Sequence, residues 1–148
     1  MLRGASFDTD LEEEIGEAMA EEVLAYGGNL SAGVCINLPY NPGWGRSQET
    51  YGEDPYLSGR MGMAAVRGLQ GPEDAEYDKL HACAKHFAVH SGPEWNRHSF
   101  NAENIAPRDL WETYLPAFKE LVQKAGVKEV MCAYNVLKAI PAAAATVC

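Results

Sequence analysis

Leu80-His81-Ala82-Cys83-Ala84-Lys85-His86-Phe87 is the stretch that decides the fold. Residues 80–84 read as a short, mostly apolar strand, and Lys85-His86-Phe87 follows at its C-terminal end. On its N-terminal side, Asp54-Pro55 opens a helix that runs to about Leu69, proline being favoured in a first turn, and Gly71-Pro72 breaks it. Before that helix, residues 30–38 form an uninterrupted apolar run with the look of a buried parallel strand. Residues 8–26 read as another helix. Asp8 or Thr9 caps it, Glu12, Glu13 and Glu14 suit its positive end, and Gly27-Gly28 stops it. Its apolar residues Leu11, Ile15, Ala18, Met19, Val23 and Leu24 recur at three and four positions.

On the C-terminal side, a polar loop spans 91–106 and a third helix spans 107–125. Pro116 lies inside that helix and predicts a kink or local unwinding. Gly126 closes it, and 127–134 is a third strand. The order α-β-α-β-α-β with apolar strands implies an α/β protein, its helices packed outside a parallel sheet that is either open or a barrel. Loops after strands, such as 39–52 and 91–106, are long and polar, while those after helices are short. In a barrel, the loops at the strand C-termini build the site.

The 148 residues suit one domain, and 47% hydrophobic with 22% charged residues is the composition of a soluble globular protein. A net charge of -9, a pI of about 4.8 and scattered lysines and arginines argue against nucleic acid or an anionic membrane surface as partner. An acidic surface is compatible with a neutral polar substrate such as a sugar. Cys35, Cys83, Cys132 and Cys148 contain no C-x-x-C pair, so a zinc or thioredoxin-like site is not expected. The first three lie in strand-like runs, where cysteine is usually a small buried hydrophobe. They leave the redox compartment open. No signal-peptide pattern is seen, and no apolar run approaches the roughly 20 residues of a membrane span.

Three clusters fall at strand ends or just beyond them: residues 44–55, 85–87 and 131–135. A pocket for a sugar ring needs rigid charged donors and an aromatic wall. Arg46, Lys85 and His86 offer donors, and charge-assisted hydrogen bonds are roughly twice as strong as neutral ones. Trp44 and Tyr134 offer walls, and Glu53 or Asp54 is placed to fix the fork of Arg46. Each cluster alone also has a plainer role: a loop ion pair at Arg46, a solvated rim at Lys85-His86, an Asn-favoured turn after Tyr134.

Taken together and in order, the motifs resemble the first domain of family three glycoside hydrolases over about residues 5–135. They are Trp-Gly-Arg-x-x-Glu-Thr-Tyr-Gly-Glu-Asp-Pro-Tyr-Leu from Trp44, Gly-Leu-Gln-Gly at 68–71, Ala84-Lys85-His86-Phe87, Glu112-Thr113-Tyr114-Leu115-Pro116-Ala117-Phe118 and Met131-Cys132-Ala133-Tyr134-Asn135. Residues 85–102 look most like the β-xylosidase and β-glucosidase branch, since Ala88-Val89 stand where the N-acetylhexosaminidase branch has Pro-Gly. One departure precedes Trp44: Tyr40-Asn41-Pro42-Gly43 replaces the family's usual Arg-Asp-Pro-Arg, which weakens that loop's anchoring.

The resemblance implies a partial (β/α)8 TIM-like barrel of about three βα units. It implies an exo-acting, retaining enzyme of carbohydrate metabolism on β-linked xylose or glucose oligosaccharides. Arg46, Lys85, His86, Met131 and Tyr134 would line the sugar subsite on the non-reducing side of the scissile bond. The nucleophilic aspartate belongs to the next strand and the acid/base residue to a second domain, so no catalytic residue is assigned within the sequence. No cofactor and no metal enters this reading. The family is often periplasmic or secreted, and the sequence leaves localisation open. A barrel segment with open edges is expected to be marginally stable or aggregation-prone, and inactive alone. The rival reading is a non-catalytic carbohydrate-binding or scaffold fragment.

Residues 1–135 are read as the family segment and 136–148 as an aberrant tail. The family continues with a stretch like Arg-Phe-Glu-Gly-Asp-Pro-Cys-Cys-Gly, whereas here an alanine-rich run leads to Cys148. One choice of codons for 136–148, read from its third base, encodes Phe-Glu-Gly-Asp-Pro-Cys-Cys-Gly-Ser-Asn-Arg-Leu. A single-base deletion near Asn135 therefore accounts for the tail, and Cys148 is given no role.

Overall fold

The computed structural model describes residues 1–137 and 140–141. Helix α1 spans Thr9–Ala25, and the Asp8 carboxylate caps it by accepting from the Leu11 N–H at 3.0 Å. Of the acidic residues expected at its positive end, Glu12 has a second task. It is 1% exposed, and its Oε1 accepts from the Tyr51 hydroxyl at 2.6 Å and from Arg3 Nη1 at 3.0 Å. One buried carboxylate therefore ties α1 to the chain just before the next helix.

Strand β1 is Leu30–Cys35 and helix α2 is Pro55–Gln70, capped by Asp54 through the Leu57 N–H at 2.6 Å. Strand β2, His81–Phe87, is longer than the expected 80–84, because Lys85 pairs with Cys35 on one side and with Met131 on the other. A two-residue strand β3, Asn101–Ala102, interrupts the polar loop that follows. The expected helix 107–125 is split. Pro107–Asp109 (α3) passes into a π-helical turn, Leu110–Tyr114, and Pro116–Lys124 (α4) resumes the α-helix. Pro116 has no N–H for the carbonyl four residues back and its ring crowds it. The turn before it widens instead, and the Leu115 N–H bonds Leu110 O, five residues back, at 3.0 Å.

Strand β4 is Glu129–Cys132, and the sheet order is β1-β2-β4 with both pairs parallel. Two further short strands, β5 (Val136–Leu137) and β6 (Ile140–Pro141), join β3 in a small second sheet that the sequence did not lead us to expect. The remaining tail, including the alanine run and Cys148, lies outside the described residues.

One buried cluster unites Ala20 of α1, Met61 and Leu69 of α2, Phe118 and Leu121 of α4, and the strand residues Val34, Ala82 and Ala84. Helices α1, α2 and α4 thus cover the same face of a parallel sheet whose strands follow chain order. That is the wall of a barrel, not an open sheet layered on both sides. Because side chains alternate across a strand, Cys35, Lys85 and Met131, which pair in one row, face away from the helices. Cys35 and Cys83 are buried as expected, but Cys132 is exposed. It lies on β4, which among the described residues has β2 as its one partner.

Helix α2 packs against α1 at a distance that only glycine permits. A Cβ on Gly68 would lie 2.1 Å from the Glu13 carbonyl oxygen, and one on Gly16 would lie 3.0 Å from the Ala65 carbonyl oxygen. Gly68→Ala should therefore push the helices apart and cost on the order of 1–3 kcal/mol, with Gly16→Ala costing less. Urea unfolding of the two variants measures both. Equal midpoints for Gly68→Ala and the parent chain would refute the packing argument.

Candidate functional site

The loop after β1 carries Arg46 into a 3-10 turn, Ser47–Glu49, and this turn folds Glu49 back onto it. Arg46 Nε donates to Glu49 Oε1 at 2.6 Å and Nη2 donates to Oε2 at 2.7 Å, a two-point fork. Lys85, from the end of β2, brings its Nζ to 3.3 Å from the same Oε2. The partner of Arg46 is thus Glu49, not Glu53 or Asp54. Three residues is the spacing at which a tight helical turn superposes side chains, and Asp54 is occupied as the cap of α2. The Arg46 fork, with Lys85 beside it, holds the Glu49 carboxyl at a pKa of about 2. The same bond raises the pKa of Arg46.

Asn37 settles the state of His86. Its Oδ1 accepts from the His86 backbone N–H at 2.8 Å, and its Nδ2 donates to the His86 carbonyl at 2.9 Å. The Oδ1 also lies 2.9 Å from His86 Nδ1. An amide oxygen only accepts, so Nδ1 carries the proton and Nε2 is left as an acceptor. Burial first, then the positive charge of Arg46, drops the His86 pKa to about 3, so the ring is neutral at physiological pH.

His90 repeats the pattern one turn of chain further on. It is 2% exposed, its Nδ1 lies 3.2 Å from Asn135 Oδ1, and Asn135 in turn donates to Ala88 O at 3.2 Å. Burial lowers its pKa as well. The His90 ring stands 4.7 Å from that of His86, 5.9 Å from Trp44 and 6.0 Å from Tyr134. Between the two histidines, Val89 adopts φ +58°, a left-handed conformation that strains a β-branched residue.

The structure therefore brings Arg46, Lys85 and His86 together and sets Met131 beside Lys85 in the strand register. Tyr134 reaches the group through the His90 ring and stacks at 4.7 Å on His98 while remaining 60% exposed. It is available as a wall. Trp44 is not, being 2% exposed beneath the loop. Asn37, Glu49 and His90 escaped the sequence reading. Only Glu49, three residues after Arg46, carried a local signal. Among the described residues, no group of three His, Cys, Asp or Glu side chains is placed to hold a metal ion, and no helix is long and apolar enough to cross a membrane.

Three parallel strands in chain order, covered on one face by helices and carrying long loops at their C-terminal ends, define a segment of an α/β barrel. Residues 1–147 match the glycosyl hydrolase family 3 N terminal domain, and the chain belongs to that family. It is 60% identical over 111 residues to the xylan 1,4-β-xylosidase of Xylanibacter ruminicola, an alignment covering 75% of this chain and 13% of that protein. Among solved structures it superposes on a GH3 exo-β-xylosidase in complex with a xylobiose aziridine probe, with TM-score 0.88 and 34% identity. A second is a mutant β-glucosidase from Listeria innocua in complex with laminaribiose, with TM-score 0.82 and 38% identity. Each superposition covers 94% of this chain and 19% of the other. The chain thus spans a fifth or less of the length of these relatives.

The histidine state is open to test. An unfolded chain takes up a histidine proton near pH 6.5, whereas folded His86 resists until about pH 3. Between these values the unfolded state binds more protons, so folding stability falls as the pH drops from 6.5, with a slope of up to about 1.4 kcal/mol per pH unit from this group. Imidazole NMR should show His86 with Nδ1 protonated and a midpoint near 3. A midpoint in the ordinary histidine range would contradict burial of the ring beside Arg46, and a proton on Nε2 instead of Nδ1 would contradict the Asn37 assignment.

Proposed function

We propose that the chain is the sugar-holding part of the barrel of an exo-acting β-xylosidase or β-glucosidase that works with retention. The observation that carries this reading is the convergence of Arg46 and Lys85 on Glu49 beside neutral His86, at the C-terminal ends of the strands. Such a group meets the needs of sugar hydroxyls. Arg46 and Lys85 donate, the Glu49 oxygens and His86 Nε2 accept, and Met131 and Tyr134 supply apolar surface. The identity of 60% over 111 residues to a xylosidase makes xylosides the first substrates to try, while the solved xylosidase and β-glucosidase, at 34% and 38%, do not separate the two.

A retaining glycosidase needs one carboxylate to attack the anomeric carbon and another to protonate the leaving oxygen. Glu49 fits neither task. Held near a pKa of about 2 by two cations, it is a weak nucleophile and no proton donor at neutral pH. On the family resemblance, both carboxylates are expected outside these 148 residues. On this reading the chain alone should leave aryl β-xylosides and β-glucosides unhydrolysed. In an NMR titration, xylose should shift the signals of Lys85 and His86, and Lys85→Ala should abolish the response. Turnover above background would overturn the assignment of the carboxylates. Tight saturable binding without turnover would favour a dedicated carbohydrate-binding role.

We further propose that residues 136–148 are read out of frame after a single-base deletion. Sequencing the coding DNA should reveal Phe-Glu-Gly-Asp-Pro-Cys-Cys-Gly in the alternative frame. Any other sequence there would refute the deletion.

A further inference from the structure

The loops after β1 and β2 are joined over the site by three contacts that the sugar-holding residues do not themselves make. Ser91 Oγ donates to the Leu38 carbonyl, the Trp44 ring stands edge-on to His90 at 5.9 Å, and the Gly45 N–H donates to Glu94 Oε2 at 3.0 Å. The other Glu94 oxygen, Oε1, is held by Arg97 Nη1 at 2.8 Å. Glu94 thus bridges its own loop to the Trp44–Gly45 peptide, one residue before Arg46. The approach depends on position 45 having no side chain. A Cβ there would lie 2.7 Å from Glu94 Cδ and 2.9 Å from Oε2.

We infer that Glu94 is a positioning residue, which holds the Gly45 peptide so that the Arg46 fork stays closed on Glu49. An arginine on an open polar loop has many rotamers, and a two-point bond to a carboxylate forms fully only if the backbone beneath it is fixed. Behind Arg46 the 3-10 turn supplies one constraint, since the Glu49 N–H bonds the Arg46 carbonyl at 3.1 Å. Glu94 supplies the constraint in front. Its own orientation comes from Arg97, which at i,i+3 spans the short turn Glu94–Asn96. Without this bridge the loop should swing, Arg46 should share its time between Glu49 and water, and Lys85 should become the main cation at Glu49.

The weight of this inference for function rests on the reading of Arg46 as a sugar-holding residue, but its test uses no sugar. The Glu49 carboxyl is followed by carbon-13 NMR as a function of pH in the full chain, together with the line width of the Arg46 Nε–H. In the parent chain Glu49 should titrate at about 2. Glu94→Ala should move it toward the ordinary glutamate value of about 4.3 and broaden the Arg46 signal. Glu94→Gln should restore most of the parent behaviour, because its amide oxygen still accepts from Gly45. An unchanged Glu49 midpoint in Glu94→Ala would overturn the inference, as would a Gln variant that behaves like Ala. If Glu94→Ala loses its folded spectrum, Gly45→Ala displaces the carboxylate without removing a charge. It should raise the Glu49 midpoint, and a midpoint still at the parent value would overturn the inference. A chain that gives these results and yet shows no response to xylose would sink the sugar reading and leave the role of Glu94 intact.

Discussion

A single buried amide, Asn37, connects the fold to its chemistry. Strand β1 ends at Cys35 while β2 runs on to Phe87, so the last residues of β2 need hydrogen-bond partners beyond the end of their neighbour. Asn37 supplies them from the chain just past β1, covering the His86 N–H, its carbonyl and its ring Nδ1. A buried N–H or carbonyl left unpaired costs about 1–3 kcal/mol, so the position has little freedom to be anything else. The same three bonds decide the imidazole tautomer. What stabilises the strand end also makes His86 an acceptor at its free nitrogen.

Electrostatics explains why the neighbouring charges sit as they do. Two cations brought together on one face of a sheet repel each other unless an anion lies between them, and Glu49 fills that place. Their combined field keeps Glu49 ionised far into acid, and burial first, with the charge of Arg46 added, keeps His86 from taking a proton. The group carries one net positive charge with its donors already oriented. That arrangement suits a neutral polyhydroxylated guest better than an anionic one, which would compete with Glu49 for both cations. Preorganisation of this kind saves the ordering entropy that flexible Arg and Lys side chains otherwise lose on binding.

Much of this was legible in the sequence, for physical reasons that differ from element to element. Helices α1 and α2 announced themselves because Asp8 and Asp54 are caps whose chemistry is local. The parallel sheet followed from apolar runs alternating with those helices. Arg46, Lys85 and His86 were recognisable at strand ends. The extension of β2 through Phe87 was not, because a strand's length is set by its neighbours' register and not by its own residues. Nor was the π-turn, since proline signals disruption without saying which way the backbone relaxes. Asn37 and His90 act across 49 and 45 residues of chain, on His86 and Asn135 respectively, and no local pattern marks such a contact. Trp44 misled because an aromatic beside a charged loop reads as a sugar platform whether it faces the solvent or, as here, the interior.

The far edge of the sheet shows what the barrel reading demands. Val130 of β4 alternates with Met131 and points to the helix side, yet it is 43% exposed, as are Trp111 and Val122 at 51% each. Together with Phe87, Leu115 and Phe118 they line an apolar groove of about 480 Å³ beside α4. The corresponding side chains on β1 and β2, Val34 and Ala84, are fully buried because α2 lies over them. The wall is therefore covered where α2 lies over β1 and β2 and, among the described residues, bare beside β4. An open sheet of three strands would have no reason to place large apolar side chains on an uncovered edge. A closed barrel requires them there, because each strand's outer face is completed by the helix that follows it.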